Sequence, residues 1–368
     1  MRWLWLAFGL LQACTGPELV QVLDRAGDAV GLVEVPRGSL VDLDRVEGPY
    51  ARFLVGADFE VAPWLASPLA REQAARDLSG QVRAPRTRWS TVGGTAIALD
   101  FDTLALFTAY VHTERAIRLF EDAGLSGPAV GRVDVLYLPE LRDAWRVGMS
   151  ASDNAYYFLP NDTVLLLPPR ELQDLPLAMN AGVLAHELTH RVVHELLWEG
   201  RRLEVLDAHR PLLRDDPARR ESYLLLLSLD EGAADYVGAV LTDAPDFVGL
   251  SLGSHQHARD LSRERQYPTD WIGDPERWSD IGAYDPYPLG TVFASALWRA
   301  GELVGHDRVV PALLRALERS APRAVALELS HTDLEVEVLR ALGGDPDACA
   351  AFGEVYAPSW GPFTEVCP

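Results

Sequence analysis

The sequence predicts an α+β fold, on three observations. Short runs that alternate apolar and polar residues, broken by Gly, Pro and Asp, occupy 18–62 and 87–102 and recur between 133 and 168. Long apolar runs at helical spacing then occupy 177–199 and 221–241, and a third helical stretch covers 289–345. With 368 residues the chain has room for two lobes or two small domains and for a substantial core. It carries no internal repeat and no low-complexity tract.

Taken in order, Met1-Arg2, the apolar run Trp3 to Leu11 and then Leu11-Gln12-Ala13-Cys14 predict an export signal over 1–13. Its apolar core is too short to span a bilayer. Leu-x-Ala-Cys resembles the bacterial lipobox, which implies cleavage before Cys14, lipid on its thiol, and a periplasmic or cell-surface lipoprotein. No later run reaches eighteen uninterrupted apolar residues, so that acyl group is the expected contact with a membrane.

Residues 14–30 are expected to be a linker and 31–103 a small β-rich accessory region, ahead of a main domain at 104–368. Strands are expected at Leu19–Leu23, Val30–Val35 and Arg52–Val55, and a helix at Leu69–Leu78. Thr87 to Asp102 reads as strands turned at Gly93-Gly94, and Leu104 to Ala123 as an amphipathic helix ended by Gly124. Val133–Leu138 is a buried strand. Asn154–Pro160 and Thr163–Pro168 form a pair turned around Pro160-Asn161-Asp162. Such a strand can offer an unpaired edge that an extended peptide joins.

The helix expected at 177–199 contains His186-Glu187-Leu188-Thr189-His190. Residues four apart share a helix face, with β-carbons roughly 5–6 Å apart, so both imidazoles can reach one metal ion. Zinc suits two neutral imidazoles plus a carboxylate, a set that keeps a fourth position open for water. Glu187, on the same turn, is placed to act on that water as general base. His194 continues the row, but one straight helix cannot wrap three successive turns around a single ion, so it reads as a pocket or surface residue.

A charged connector, 201–220, leads to a second helix with Asp230-Glu231-Gly232-Ala233-Ala234-Asp235-Tyr236. Glu231 and Asp235 stand one turn apart with only small residues between them, which lets the helix approach a neighbour closely. Glu231 is the expected third ligand. Asp235 is expected to accept the free ring N–H of a ligating histidine, fixing its tautomer.

H-E-x-x-H followed by E-x-x-x-D resembles the gluzincin metallopeptidases, the thermolysin-like and fungalysin-like families among them. The resemblance covers roughly 133–305. It implies a gluzincin-type, two-lobed fold: an N-terminal lobe with a mixed sheet and the H-E-x-x-H helix, then a helical C-terminal lobe. It implies zinc held by His186, His190 and Glu231, with Glu187 as base and Asp235 behind a ligand. Asn154-Ala155 resembles the thermolysin-like edge strand that binds substrate backbone. Tyr287, in Tyr287-Pro288-Leu289-Gly290, matches the gluzincin Y-x-x-G whose tyrosine hydrogen-bonds the developing oxyanion, with Tyr284 in reserve. The chain departs from these families in its longer gap, forty residues, between His190 and Glu231. It also has no G-x-M-E-N anchor for a substrate amino terminus, which favours an endopeptidase acting on peptide or protein.

A net charge of −21 argues against nucleic acid as partner and against docking on anionic lipid through protein charge. Every basic residue is Arg, which rules out lysine chemistry. With Cys14 lipidated, Cys349 and Cys367 are left as an expected disulfide stapling the C-terminal tail.

Two rival functions stand beside the peptidase. One is a binding lipoprotein that keeps the gluzincin fold and its zinc without turnover. The other is a serine hydrolase at Ser251, within Gly249-Leu250-Ser251-Leu252-Gly253, although no hydrophobic strand leads into that glycine as a nucleophile elbow requires. His255 and His257 read as a polar loop.

Overall fold

The computed structural model describes residues 16–26, 29–60, 82–142, 150–170, 173–252, 259–267, 284–330 and 332–367. Cys14 and the export signal, the helix expected at Leu69–Leu78, Gly253, His255 and His257 lie outside them. The described residues form a mixed α and β structure, as the patterning predicts.

Among the described residues, ten strands make up three sheets. β1 (Leu19–Ala26) and β2 (Ala29–Pro36) form an antiparallel hairpin, registered from Leu19 opposite Pro36 to Ala26 opposite Ala29. β1 also runs parallel to β6 (Thr95–Ala98), which pairs with β5 (Trp89–Val92) across the expected glycine turn. The second sheet has the order β3-β7-β10-β9, built from β3 (Ala51–Val55), β7 (Val133–Tyr137), β9 (Ala155–Phe158) and β10 (Thr163–Leu166). β3, β7 and β10 are parallel and β9 is antiparallel at the edge. A short parallel pair, β4 (Asp58–Glu60) and β8 (Glu140–Arg142), completes the strands.

The period-2 alternation of a strand divides the second sheet's side chains between two cores. Val133, Val135 and Val164 enter the main core, while Leu136 and Leu165 join a smaller cluster with Phe158 and Leu141 on the other face. Helix α1 (Phe101–Asp122) starts at Asp100, whose side chain accepts from the Thr103 N–H. α1 buries Phe107, Tyr110, Ile117 and Phe120. Thr108 accepts the Leu23 N–H at 3.0 Å, which ties α1 to β1.

One boundary drawn from the sequence needs correcting. Residues 31–103 are not a separate accessory unit: β3 lies beside β7, from Ala51 opposite Val133 to Val55 opposite Tyr137, and Phe53 is fully buried in the main core. β1 likewise lies within the expected linker 14–30. Parallel partners eighty residues apart leave no local trace of their pairing in the sequence.

Seven further helices follow among the described residues: α2 (Ala181–Leu197), α3 (Arg202–Asp215), α4 (Pro217–Thr242), α5 (Tyr287–Val304), α6 (His306–Ala326), α7 (Asp333–Ala341) and α8 (Pro346–Tyr356). The first turn expected for the metal helix, Leu177–Met179, is instead a 3₁₀ turn ahead of Asn180. The charged connector is largely helix α3. A disulfide joins Cys349 of α8 to Cys367, with the Cα atoms 5.8 Å apart, so the tail is stapled as the cysteine count predicts. No helix among the described residues is long and apolar enough to cross a membrane.

Two close backbone approaches set the helix arrangement around the site. A β-carbon at Gly238 of α4 would lie 2.7 Å from the Gly182 carbonyl of α2. One at Gly232 of α4 would lie 2.3 Å from the Gly290 carbonyl of α5. The small residues of the Glu231–Asp235 turn therefore serve mainly the contact with α5, whereas Gly182 and Gly238 bring α4 onto α2.

Candidate metal centre

Helix α2 is fixed at its start by Asn180. Its side-chain oxygen accepts from the N–H groups of Gly182 at 3.0 Å and Val183 at 3.4 Å, satisfying donors that a helix N-terminus leaves open. Its amide nitrogen donates to the Phe247 carbonyl at 2.8 Å and to Ser251 Oγ at 2.9 Å. Helix α2 is thus pinned to the loop after α4.

His186, His190 and Glu231 form the one group among the described residues whose donor atoms could together hold a metal ion, all lying within 4.8 Å of one another. Nε2 of His186 is 3.1 Å from Nε2 of His190. Glu231 Oε2 lies 3.2 Å from the first nitrogen and 3.7 Å from the second. That oxygen is buried and accepts no hydrogen bond.

Each imidazole is held from behind by its own carboxylate. Nδ1 of His186 lies 3.0 Å from Asp235 Oδ1, the carboxylate expected there, and 3.3 Å from Arg259 Nη2. Nδ1 of His190 donates to Asp230 Oδ1 at 2.7 Å, a partner the sequence reading did not assign. A carboxylate facing Nδ1 selects the Nδ1–H tautomer and leaves the Nε2 lone pair facing inward. Behind each carboxylate stands an arginine. Arg259 is bonded to both oxygens of Asp235, and Arg202 Nη1 donates to Asp230 Oδ2 at 2.7 Å. Neither arginine carries a local signal in the sequence. Asp230, beside Glu231 on the second helix, could have been found by asking which residue satisfies the second histidine.

Three lone pairs converging without a donor between them repel one another unless a cation sits there. Four carboxyl groups (Glu187, Asp230, Glu231, Asp235) face two guanidinium groups, an excess of two negative charges when all are ionised. The donor set therefore fits a divalent cation. Without an ion, the same negative excess draws protons onto the imidazoles instead. Burial alone would depress His190, but the Asp230 and Glu231 carboxylates outweigh it and hold the imidazole up at about 10. His186 is raised too: burial opposes this, and the neighbouring Asp235 and Glu231 carboxylates prevail. Asp235 is driven down to about 2 against its burial, by Arg259 and His186. His194, half-buried, is outside the cluster; burial and then Arg202 hold it down at about 4.

Glu187 is not aimed at the histidines' lone pairs but at the sheet, where Oε2 accepts the Tyr157 N–H of edge strand β9 at 2.6 Å. Burial pushes its carboxyl above the ordinary range, opposed by the charges of His186 and His190. Asn154 and Ala155 line the same cleft of about 380 Å³ as the cluster, Glu187 and Tyr287. α3 and α4 add Arg202, Leu203, Leu206 and Tyr223 to its lining. On β9 the outward Ala155 N–H is bonded to Asn154 Oδ1 at 3.0 Å, so the donors of this edge are already engaged.

Tyr287 opens α5 and lies under the Arg259 guanidinium, 4.4 Å from the ring centre. Burial, then the Glu231 charge, raise its phenol well above the usual value, so it stays a proton donor. Tyr284 instead pairs with Ser228 of α4 at 2.6 Å, turned to the helix rather than the cleft.

Ser251 is engaged in structure. Its hydroxyl donates to the Leu175 carbonyl at 2.7 Å and accepts from Asn180, and the side chain is buried. Ser251→Ala is expected to leave any hydrolysis unchanged while costing about 1–2 kcal/mol in denaturant unfolding, since it strands the Asn180 amide and the Leu175 carbonyl. Loss of turnover at unchanged stability would reinstate the serine. No protein-family model matches the chain, and no curated protein matches it.

Proposed function

We propose that this chain is a zinc-dependent peptidase of gluzincin type and an exported lipoprotein anchored at Cys14. The supporting observation is the unpartnered Glu231 oxygen meeting two imidazole lone pairs, with Glu187 alongside on the rim of an edge strand. His186, His190 and Glu231 would hold the ion, and two imidazoles with one carboxylate suit zinc. Zinc supplies Lewis acidity there, polarising a carbonyl and acidifying water.

The chain's own residues do the rest. Glu187 takes the proton of the attacking water and returns it to the leaving amine. Tyr287 donates a hydrogen bond to the oxygen on which negative charge develops. Asn154 and Ala155, at the start of β9, line the cleft that the peptide would occupy. Asp235 and Asp230 hold the imidazoles in the tautomer that ligation needs. An endopeptidase acting on exposed, extended segments is the reading favoured, in the absence of a recognisable amino-terminus anchor.

The test uses the full chain, its metal content and an unstructured protein as substrate. One zinc per chain is expected, with hydrolysis lost to a chelator and restored by zinc. Zinc without hydrolysis would favour the binding lipoprotein, and no bound metal would remove the proposal.

A further inference from the structure

We infer that Arg202 is a positioning residue for the metal centre, acting through Asp230 on His190, so that helix α3 helps to set metal affinity. The inference rests on the metal-binding reading above.

Asp230 is 3% exposed, and its two oxygens are divided: Oδ1 receives His190 Nδ1 and Oδ2 receives Arg202 Nη1, each at 2.7 Å. A buried carboxylate facing only a neutral imidazole would be poorly compensated; a guanidinium hydrogen-bonded to it keeps it an anion. As an anion it can only accept, which fixes the proton on Nδ1 and turns the Nε2 lone pair toward His186 and Glu231. Arg202 is itself held in place, 5.5 Å from the ring of the fully buried Trp198 at the end of α2. The chain reverses between the two through Gly200, at φ +69°, a backbone conformation that glycine adopts without strain.

Arg202 is also the first residue of α3, which places Leu203 and Leu206 in the cleft wall. The helix that walls the cleft and the contact that orients a ligand are therefore one element. Docking of α3 and binding of metal must then favour each other reciprocally. Arg259 does the corresponding work for His186 from a different segment, so the two histidines are set independently.

Zinc affinity, measured by competition with a chromophoric chelator on the full chain, tests this. Arg202→Gln is expected to weaken binding about 10–100-fold and Asp230→Asn at least as much. Arg202→Lys, which keeps the charge, is expected to recover most of the loss. The double variant should bind no more weakly than Asp230→Asn alone, because the arginine acts through that carboxylate. Glu204→Ala, exposed on the same turn, should bind as wild type. Wild-type affinity in Arg202→Gln, or losses that multiply in the double variant, would overturn this inference alone. A wild-type chain that binds no zinc would overturn it together with the proposed function.

Discussion

Glu187→Gln is expected to lower turnover about 10²–10⁴-fold while bound zinc stays at the wild-type level. The carboxylate is held by the Tyr157 N–H at 2.6 Å, and the glutamine oxygen can accept that same bond, so its place at the strand is kept. What is lost is the capacity to take a proton. The pH profile gives a second reading. The base must be ionised to work, and burial raises the Glu187 carboxyl. Turnover should therefore fall as pH drops through a value above the ordinary glutamate range. Wild-type turnover in the glutamine variant would dismiss Glu187 as base, and loss of zinc would make it a ligand instead.

Gly232→Ala is expected to destabilise the fold by about 2–3 kcal/mol, against the roughly 1 kcal/mol that helix propensity alone would add. The added methyl would meet the Gly290 carbonyl at 2.3 Å, and backbone has no rotamer by which to move aside. α5 would have to shift as a body. Glu231 is adjacent on α4 and Tyr287 is one turn before Gly290, so the same shift should weaken zinc binding. Urea unfolding of the metal-free chain isolates the packing cost. A variant more stable than wild type would show that propensity wins and that the helices separate freely.

Much of the site is legible in the sequence because its residues lie on two regular helices. Four-residue spacing places His186 beside His190 and Glu231 beside Asp235 before any tertiary contact is considered. The disulfide follows from counting cysteines in a chain whose first residues read as an export signal. What escaped the reading depends on chain segments far apart. Arg202 and Arg259 look like ordinary surface charges until folding brings each against a buried aspartate. α3 was masked by its high charge and by Pro211, although Leu203 and Leu206 share a face. β3 needed β7 to declare its place, and the glycine of the Glu231 turn needed α5.

The engaged donors of β9 have a consequence outside catalysis. A bare sheet edge beside an open cleft would invite a second molecule to zip onto it and start an aggregate. Here Asn154 and Glu187 cover the outward N–H groups of Ala155 and Tyr157. Strand-to-strand growth, which needs those donors, is disfavoured at this rim.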